Sequence, residues 1–234
     1  MLRRIDHKNM GKSELGWLRS IFHFSFAEYF NIDNMNFGAL RVINDDLIAA
    51  GTGFPLHPHK DMEIVSYIVD GGLTHGDTMG NKNTVYRGHV QYMSAGTGVY
   101  HSEENLGDET TRILQIWVVP DKKGYKPNYG DYRFKEDDRK NKWLNIVSSK
   151  EGNAPIKINQ DANFYVVELD EGKEIDFPIK EGRQGYLVQI EGDSEINNLD
   201  IYERDGLEIV EDSINIKAKN KSHILLIEMK KSNQ

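Results

Sequence analysis

Short runs of β-branched and aromatic residues recur along the whole chain, cut apart by Gly, Asn and Asp: "EIVSYIVDGG", "ILQIWVVP", "NFYVVELDEG", "GYLVQIEGD" and "SINIKAKNKSHILLIEM". Within them Ile214, Ile216 and Ala218 alternate with polar neighbours, and Tyr186, Val188 and Ile190 repeat the two-residue spacing. That two-residue period belongs to a strand with one face buried. Asp70-Gly71-Gly72, Met79-Gly80-Asn81 and Asp205-Gly206 supply turn chemistry between runs. A chain of many short strands and few helical stretches folds as a β-sandwich or barrel. The charged segment 136–149, carrying Trp143, Leu144 and Ile146, is the main exception and reads as a short helix bridging two halves.

The 234 residues suit one large all-β domain or two modest ones. An internal echo favours two. "VSYIVDG" (65–71) matches "YLVQIEG" (186–192) in pattern, and "RILQIW" (112–117) matches "HILLIE" (223–228). Duplication of one β-fold would explain both pairs, convergent strand patterning being the alternative. On the offset set by those glycines, His57, His59 and Glu63 fall on Pro178, Lys180 and Gln184. A second copy has therefore lost the histidines, and chemistry belongs to the first.

Composition narrows the partners. Apolar content of 38% and charged content of 28% are those of an ordinary globular protein. A net charge of −8 argues against nucleic acid, whose binding rests on basic residues neutralising phosphates. Cysteine is absent, which excludes disulfides, thiolate metal sites and cysteine nucleophiles and fits a reducing interior. Any metal must then sit on nitrogen and oxygen. The opening "MLRRIDHKNMGK" lacks the apolar core of a secretory signal, and no apolar run approaches the roughly 20 residues of a membrane span. The expected address is the cytoplasm, with no membrane partner.

Five of the eight histidines lie between positions 57 and 101. His57 and His59 are two apart, so an extended strand presents both on one face, with Pro58 marking a strand start, edge or bulge. His101 and Glu103 repeat the spacing in "GTGVYHSEEN". Two such strands facing one point would gather three imidazoles and a carboxylate, a donor set for a divalent first-row metal. Taken singly, either pair reads as separate hydrogen-bonded histidines. Gly96 and Gly98 read as positions of positive φ or close packing beside the second pair. Phe22, Phe24, Phe26, Tyr29 and Phe30 read as core, some of them lining a pocket mouth with Phe54 and Met93.

The stretches "GTGFPLHPHKDMEIVSYIVDG" and "GHVQYMSAGTGVYHSEEN" resemble the two cupin motifs, with Gly96 standing where the general pattern has proline. More specifically, "HPHKDMEIVSYIVDGGLTHGDTMGN" and "MSAGTGVYHSEEN" resemble the pirin family in its bacterial quercetinase-like branch. The likeness runs upstream through "GWLRSIFHFSFAEYF" and "MNFGALRVINDD" and downstream through "LQIWVVP". It implies two cupin (jelly-roll β-barrel) domains in one chain: residues 1–135 binding metal, and residues 136–234 without ligands. By this resemblance the metal ligands are His57, His59, His101 and Glu103; in the enzyme reading Glu103 would also be the catalytic residue, accepting the substrate proton or holding it in a short hydrogen bond. Glu63 stands where most cupins place their liganding glutamate, and strand parity keeps a supporting role open for it. The implied cofactor is one divalent transition metal, iron first, with nickel, copper, manganese, cobalt or zinc as alternatives. The implied reaction is that of quercetin 2,3-dioxygenase, cleaving a flavonol-like aromatic with O2 and releasing CO. A metal-dependent binding or regulatory protein with a protein partner, or another cupin oxygenase or isomerase, would use the same ligands. His75 is expected to stabilise a hairpin, His89 to sit at a solvated turn, and His7 and His223 to be surface or satisfied residues. The resemblance lends His23 no firm role, because relatives place a histidine one position earlier.

Overall fold

Gly71 and Gly192, which close the two echoing runs, both adopt positive φ, 74° and 70°, the turn geometry that glycine reaches without strain. The computed structural model describes residues 1–232. In chain order its strands begin β1 (Leu2–Ile5), β2 (Gly11–Glu14), β3 (Leu18–Phe22), β4 (Leu40–Ile48), β5 (Thr52–His59) and β6 (Glu63–Asp70). Next come β7 (Gly72–Asp77), β8 (Lys82–Tyr86), β9 (Val90–Ser94), β10 (Val99–Asn105), β11 (Thr111–Val118) and β12 (Asn128–Tyr132). They are followed by β13 (Leu144–Ser149), β14 (Ile156–Ile158), β15 (Ala162–Leu169), β16 (Glu174–Phe177) and β17 (Arg183–Glu191). The series ends with β18 (Ser194–Ile196), β19 (Leu199–Ile201), β20 (Gly206–Val210), β21 (Ile214–Ala218) and β22 (Ser222–Lys230). Among the described residues no helix is long and apolar enough to cross a membrane.

Two compact units share these strands. One comprises residues 11–134 and 158–160. It has a seven-stranded sheet ordered β12-β9-β6-β11-β4-β3-β2 and a four-stranded sheet ordered β5-β10-β7-β8. Leu18, Ile48, Ile68 and Ile113 of the larger sheet pack against Leu73 and Val85 of the smaller. Burying each of these side chains stabilises the sandwich by about 1.5–3 kcal/mol. The other unit comprises residues 1–10, 135–157 and 161–234. Its sheets are ordered β1-β20-β17-β22-β15-β13-β14 and β16-β21-β18-β19, around a core that includes Leu187, Leu207, Ile216 and Leu226. The sequence division at residue 135 assigns the first ten residues to the first domain. The pairing of β1 with β20 places them in the unit that holds the later strands.

The echo has a structural counterpart. β6 lies between β11 and β9, and β17 lies between β22 and β20, so the matching runs occupy corresponding places in two similar sheets. The helix expected over 136–149 is absent. Only Glu136–Asp138 makes a 3-10 turn, and Leu144–Ser149 pairs with β15 as a strand. Ile146 and Val147 are β-branched, and the edge offered by β15 overrides the charged, helix-compatible composition before them.

Candidate metal centre and adjoining cavity

β5 and β10 pair antiparallel with His101 directly opposite His57 and Val99 opposite His59. This register is what brings the two histidine stretches together. The ring centroids of His57, His59 and His101 lie 4.4 to 5.0 Å apart. One ring nitrogen from each falls within 4.8 Å of the others. His57 Nδ1 is 2.7 Å from the Pro55 carbonyl oxygen. A carbonyl can only accept, so Nδ1 carries a proton, and Nε2 is the ring nitrogen left to offer a cation its lone pair in the neutral ring. Gly96 and Gly98 hold the approach to β10 at φ 46° and 135°. A Cβ at Gly96 would fall 2.0 Å from the Tyr125 carbonyl oxygen.

His101 is 1% exposed, and among the described residues neither ring nitrogen has a hydrogen-bond partner. Burial, then the neighbouring His57 and His75, lowers its pKa to about 3. Burial, then His101 and His57, lowers that of His59 to about 4. These imidazoles are neutral at pH 7, the state in which nitrogen binds a metal. A buried ring with two unpartnered nitrogens, beside two more lone-pair donors, fits a metal ion.

Glu103 occupies an overlapping cluster. Its carboxylate groups with His101 and His75 within 4.8 Å, while His57 and His59 stand outside that set. Three neighbours hold it: Gln115 Nε2 donates to Oε2 at 2.6 Å, Gln91 Nε2 donates to Oε1 at 2.7 Å, and the Ser66 hydroxyl lies 2.9 Å from Oε1. Gln91, Ser66, Gln115 and Asn44 stand directly opposite one another across β9, β6, β11 and β4. They form one polar row on the inner face of the larger sheet. His75 hydrogen-bonds Asp77 at 3.0 Å and stacks on Tyr129. Asp77 also accepts from Met79 and Asn81, so the hairpin role expected for His75 is present alongside its place near His101. His89 accepts from the Tyr86 backbone N–H at a turn, His7 bonds Asp205, and His223 is buried beside Glu191. His23 is fully buried.

Glu63 faces elsewhere. Asp61 turns the chain at φ 50° between β5 and β6, so the strand parity linking Glu63 to the histidines is broken. Its carboxylate accepts from Tyr92 at 2.5 Å, Ser94 at 2.7 Å and the Asn159 backbone N–H at 2.9 Å.

Beside the imidazoles lies a cavity of about 350 Å³, within the range that holds small organic ligands. Trp17, Phe22, Phe26, Phe54 and Trp117 wall it. Trp117 meets the His59 ring edge to face at 4.8 Å. Of the expected aromatic cluster, Phe24 is core and Phe30 is 71% exposed. Met93 packs with Ile64, Ala95 and Val99 rather than in the cavity.

Asp46, buried on the cavity floor, was not singled out by the sequence. Burial pushes its carboxyl up to about 7, opposed by a hydrogen bond from Ser20 and reinforced by Asp45 and Glu103. A folded-state pKa above the unfolded value contributes stability in full below the unfolded pKa, lost as pH rises through about 7. Asp46→Asn cannot ionise, so its melting temperature should exceed the parent's by more at pH 8 than at pH 5. A difference independent of pH in thermal melts of the two proteins would contradict the buried-acid assignment.

The pirin family model, described as "Pirin", matches residues 4–118, and the model described as "Quercetinase C-terminal cupin domain" matches residues 145–229. The chain belongs to the pirin family. A "Pirin-like protein" of Caulobacter vibrioides is 42% identical over 97% of this chain and 99% of that one. An Escherichia coli K12 relative named "Quercetin 2,3-dioxygenase" is 40% identical over 97% of both chains. The crystal structure of the bacterial pirin YhhW from Escherichia coli in complex with nickel(II) is 36% identical. It superposes at a TM-score of 0.93, covering 99% of this pirin-family chain and 100% of that one. The two-cupin, all-β expectation thus stands.

Proposed function

We propose that this pirin-family chain is a metal-dependent dioxygenase of the quercetin 2,3-dioxygenase type, acting on a flavonol with O2 and releasing CO. The observation that carries the reading is the convergence of three imidazoles, two of them (His59 and His101) held neutral by burial, beside an aromatic-walled cavity. The Escherichia coli relative's name supports it. In this reading the metal-binding domain is the N-terminal one, the C-terminal cupin domain has no ligands, and the protein works in the cytoplasm. His57, His59, His101 and Glu103 would hold one divalent metal; their nitrogen and oxygen donors accept iron, nickel, copper, manganese, cobalt or zinc. When bound, the metal supplies Lewis-acid polarisation of a ligand hydroxyl. Glu103, oriented by Gln115, Gln91 and Ser66, takes the hydroxyl proton. Trp117 and Phe54 shield the bound ring from water and fix its plane.

The test starts with metal analysis of protein purified without added metal. The same sample, then loaded with iron, nickel or copper, is mixed with quercetin under air. Loss of the flavonol absorption band with CO in the headspace is expected for at least one metal. No turnover with any of them would favour a metal-dependent binding or regulatory protein instead. Glu103→Gln keeps the three imidazoles but removes the proton acceptor. At saturating metal its turnover should fall by about 10²–10⁴-fold, read in the same assay; unchanged turnover would remove Glu103 from the reaction.

A further inference from the structure

The cavity floor carries more polarity than the fold or the imidazole cluster uses. On the inner face of β4, Asn44 and Asp46 precede the core residue Ile48. Asp46 sits opposite Ile113 of β11 and Ser20 of β3, where it continues a row that begins with Ile68 and Ile113. Asp46 is 2% exposed and Asn44 4% exposed, and among the described residues the Oδ1 atoms of both lack hydrogen-bond partners. Trp117 Nε1, on the same cavity wall, also has none among the described residues. Native proteins rarely leave such groups unpaired, because burying them without a partner costs free energy.

The three orphans define a complement. Two acceptor oxygens call for ligand hydroxyls, and one indole N–H calls for a carbonyl or ether oxygen. Apolar walls call for an aromatic scaffold between them. Along β11 the sites are spread out: Trp117 lies beside His59, Gln115 reaches Glu103, and Ile113 faces Asp46. Asp46 therefore stands two residue steps past Gln115, roughly 7 Å farther along the sheet. We propose that Asp46, seconded by Asn44, is the specificity-determining residue that reads phenolic hydroxyls of an aromatic ligand remote from the oxygen presented to the imidazoles. The inference rests on the flavonol reading and narrows its substrate class to polyhydroxylated aromatics. Because burial pushes the Asp46 carboxyl up to about 7, it can donate to a phenol or accept from one near neutral pH.

The test compares quercetin with 3-hydroxyflavone, which shares the 3-hydroxyl and lacks the hydroxyls on the outer rings. Dissociation constants of both are read on metal-loaded protein by quenching of tryptophan fluorescence, since Trp17 and Trp117 face the cavity. The wild type is expected to prefer quercetin by about tenfold or more. Asp46→Leu should bring the ratio near one, and Asp46→Asn, which keeps an acceptor oxygen, should give an intermediate value. Asn44→Val should also lower the ratio, and it serves if Asp46→Leu fails to fold. A wild-type ratio retained in folded Asp46→Leu or Asn44→Val overturns the proposal, with water then satisfying these oxygens. A wild type that binds both compounds equally overturns it too and leaves the flavonol reading standing. Failure of both compounds to bind the wild type overturns that reading, and this one with it.

Discussion

His101→Ala is expected to abolish metal retention and flavonol turnover together while leaving the metal-free fold nearly as stable as before. His101 belongs to both ligand clusters and is the most enclosed of the three converging imidazoles. Its two nitrogens are buried without a partner among the described residues, so without a metal the ring brings desolvation cost along with packing. Truncation removes both, and the effects oppose each other. With metal present the balance changes. A ligand that binds only the folded state raises stability with its concentration, so nickel should raise the melting temperature of the wild type and not of the variant. Metal content per chain and melting with and without nickel are the measurements. Full nickel occupancy in the variant, with an unchanged thermal shift, would end the three-imidazole assignment. The lowered pKa values add a pH signature. Folded His59 and His101 bind fewer protons than the unfolded chain between about pH 4 and the ordinary histidine value near 6.5. The metal-free protein should therefore lose stability as pH falls through that window. Metal should stay bound at pH 5 to 6, where an unperturbed histidine site would already be losing it to protons.

How much of this site the sequence disclosed depends on the range of each interaction. Same-face spacing within one strand is local, so the pairs His57/His59 and His101/Glu103 were legible as pairs. That they meet depends on β5 lying against β10, a pairing between stretches more than 40 residues apart that no local pattern encodes. Family resemblance carried that step. It also carried the two-cupin architecture, since alternation alone cannot separate a sandwich from a barrel.

Parity failed where the chain left its strand. Parity puts Glu63 on the face of His57 and His59 unless the chain is interrupted between them, and Asp61 at φ 50° supplies that interruption between β5 and β6. An aspartate in left-handed geometry gives no advance notice, because the conformation is selected by the surroundings. Gln91, Ser66, Gln115, Asn44 and Asp46 were missed for a different reason. Each is a polar residue in a strand otherwise read for its apolar period; Gln91, Ser66, Gln115 and Asn44 form a row across four strands, and Asp46 lies two residues along β4 from it. The usable signal was "ILQIW", where Gln115 interrupts an inward-facing series in a strand with no exposed sheet edge. "NDD" concealed two opposite roles. Asp45 is paired with Arg112 through two hydrogen bonds of 2.9 and 2.7 Å, while Asp46 turns to the other face and into the cavity.

Glu63→Ala is expected to be the most destabilising single substitution considered, and to leave the metal in place. The Glu63 carboxylate is 1% exposed and serves as the common acceptor for Tyr92, Ser94 and both nitrogens of Asn159. Truncation strands a phenol, a hydroxyl, a backbone N–H and an amide in a dry interior at once. Deleting the acceptor of such a network typically costs about 3–5 kcal/mol. For a chain of this size that corresponds to a melting shift on the order of 10 °C. Glu63→Gln keeps one acceptor oxygen but turns an NH₂ towards groups that are themselves donors, so it should fall between the two. The proposed metal donors lie on β5 and β10, apart from this network, so the folded fraction of Glu63→Ala should bind metal as the wild type does. Measuring metal per folded chain alongside the melting curve separates the two roles that a glutamate at this position can have. Unchanged melting with loss of metal would make Glu63 the carboxylate ligand and leave Glu103 as its support. A large loss of stability with full metal content instead assigns Glu63 to the hydrogen-bonded anchoring of residues 158–160.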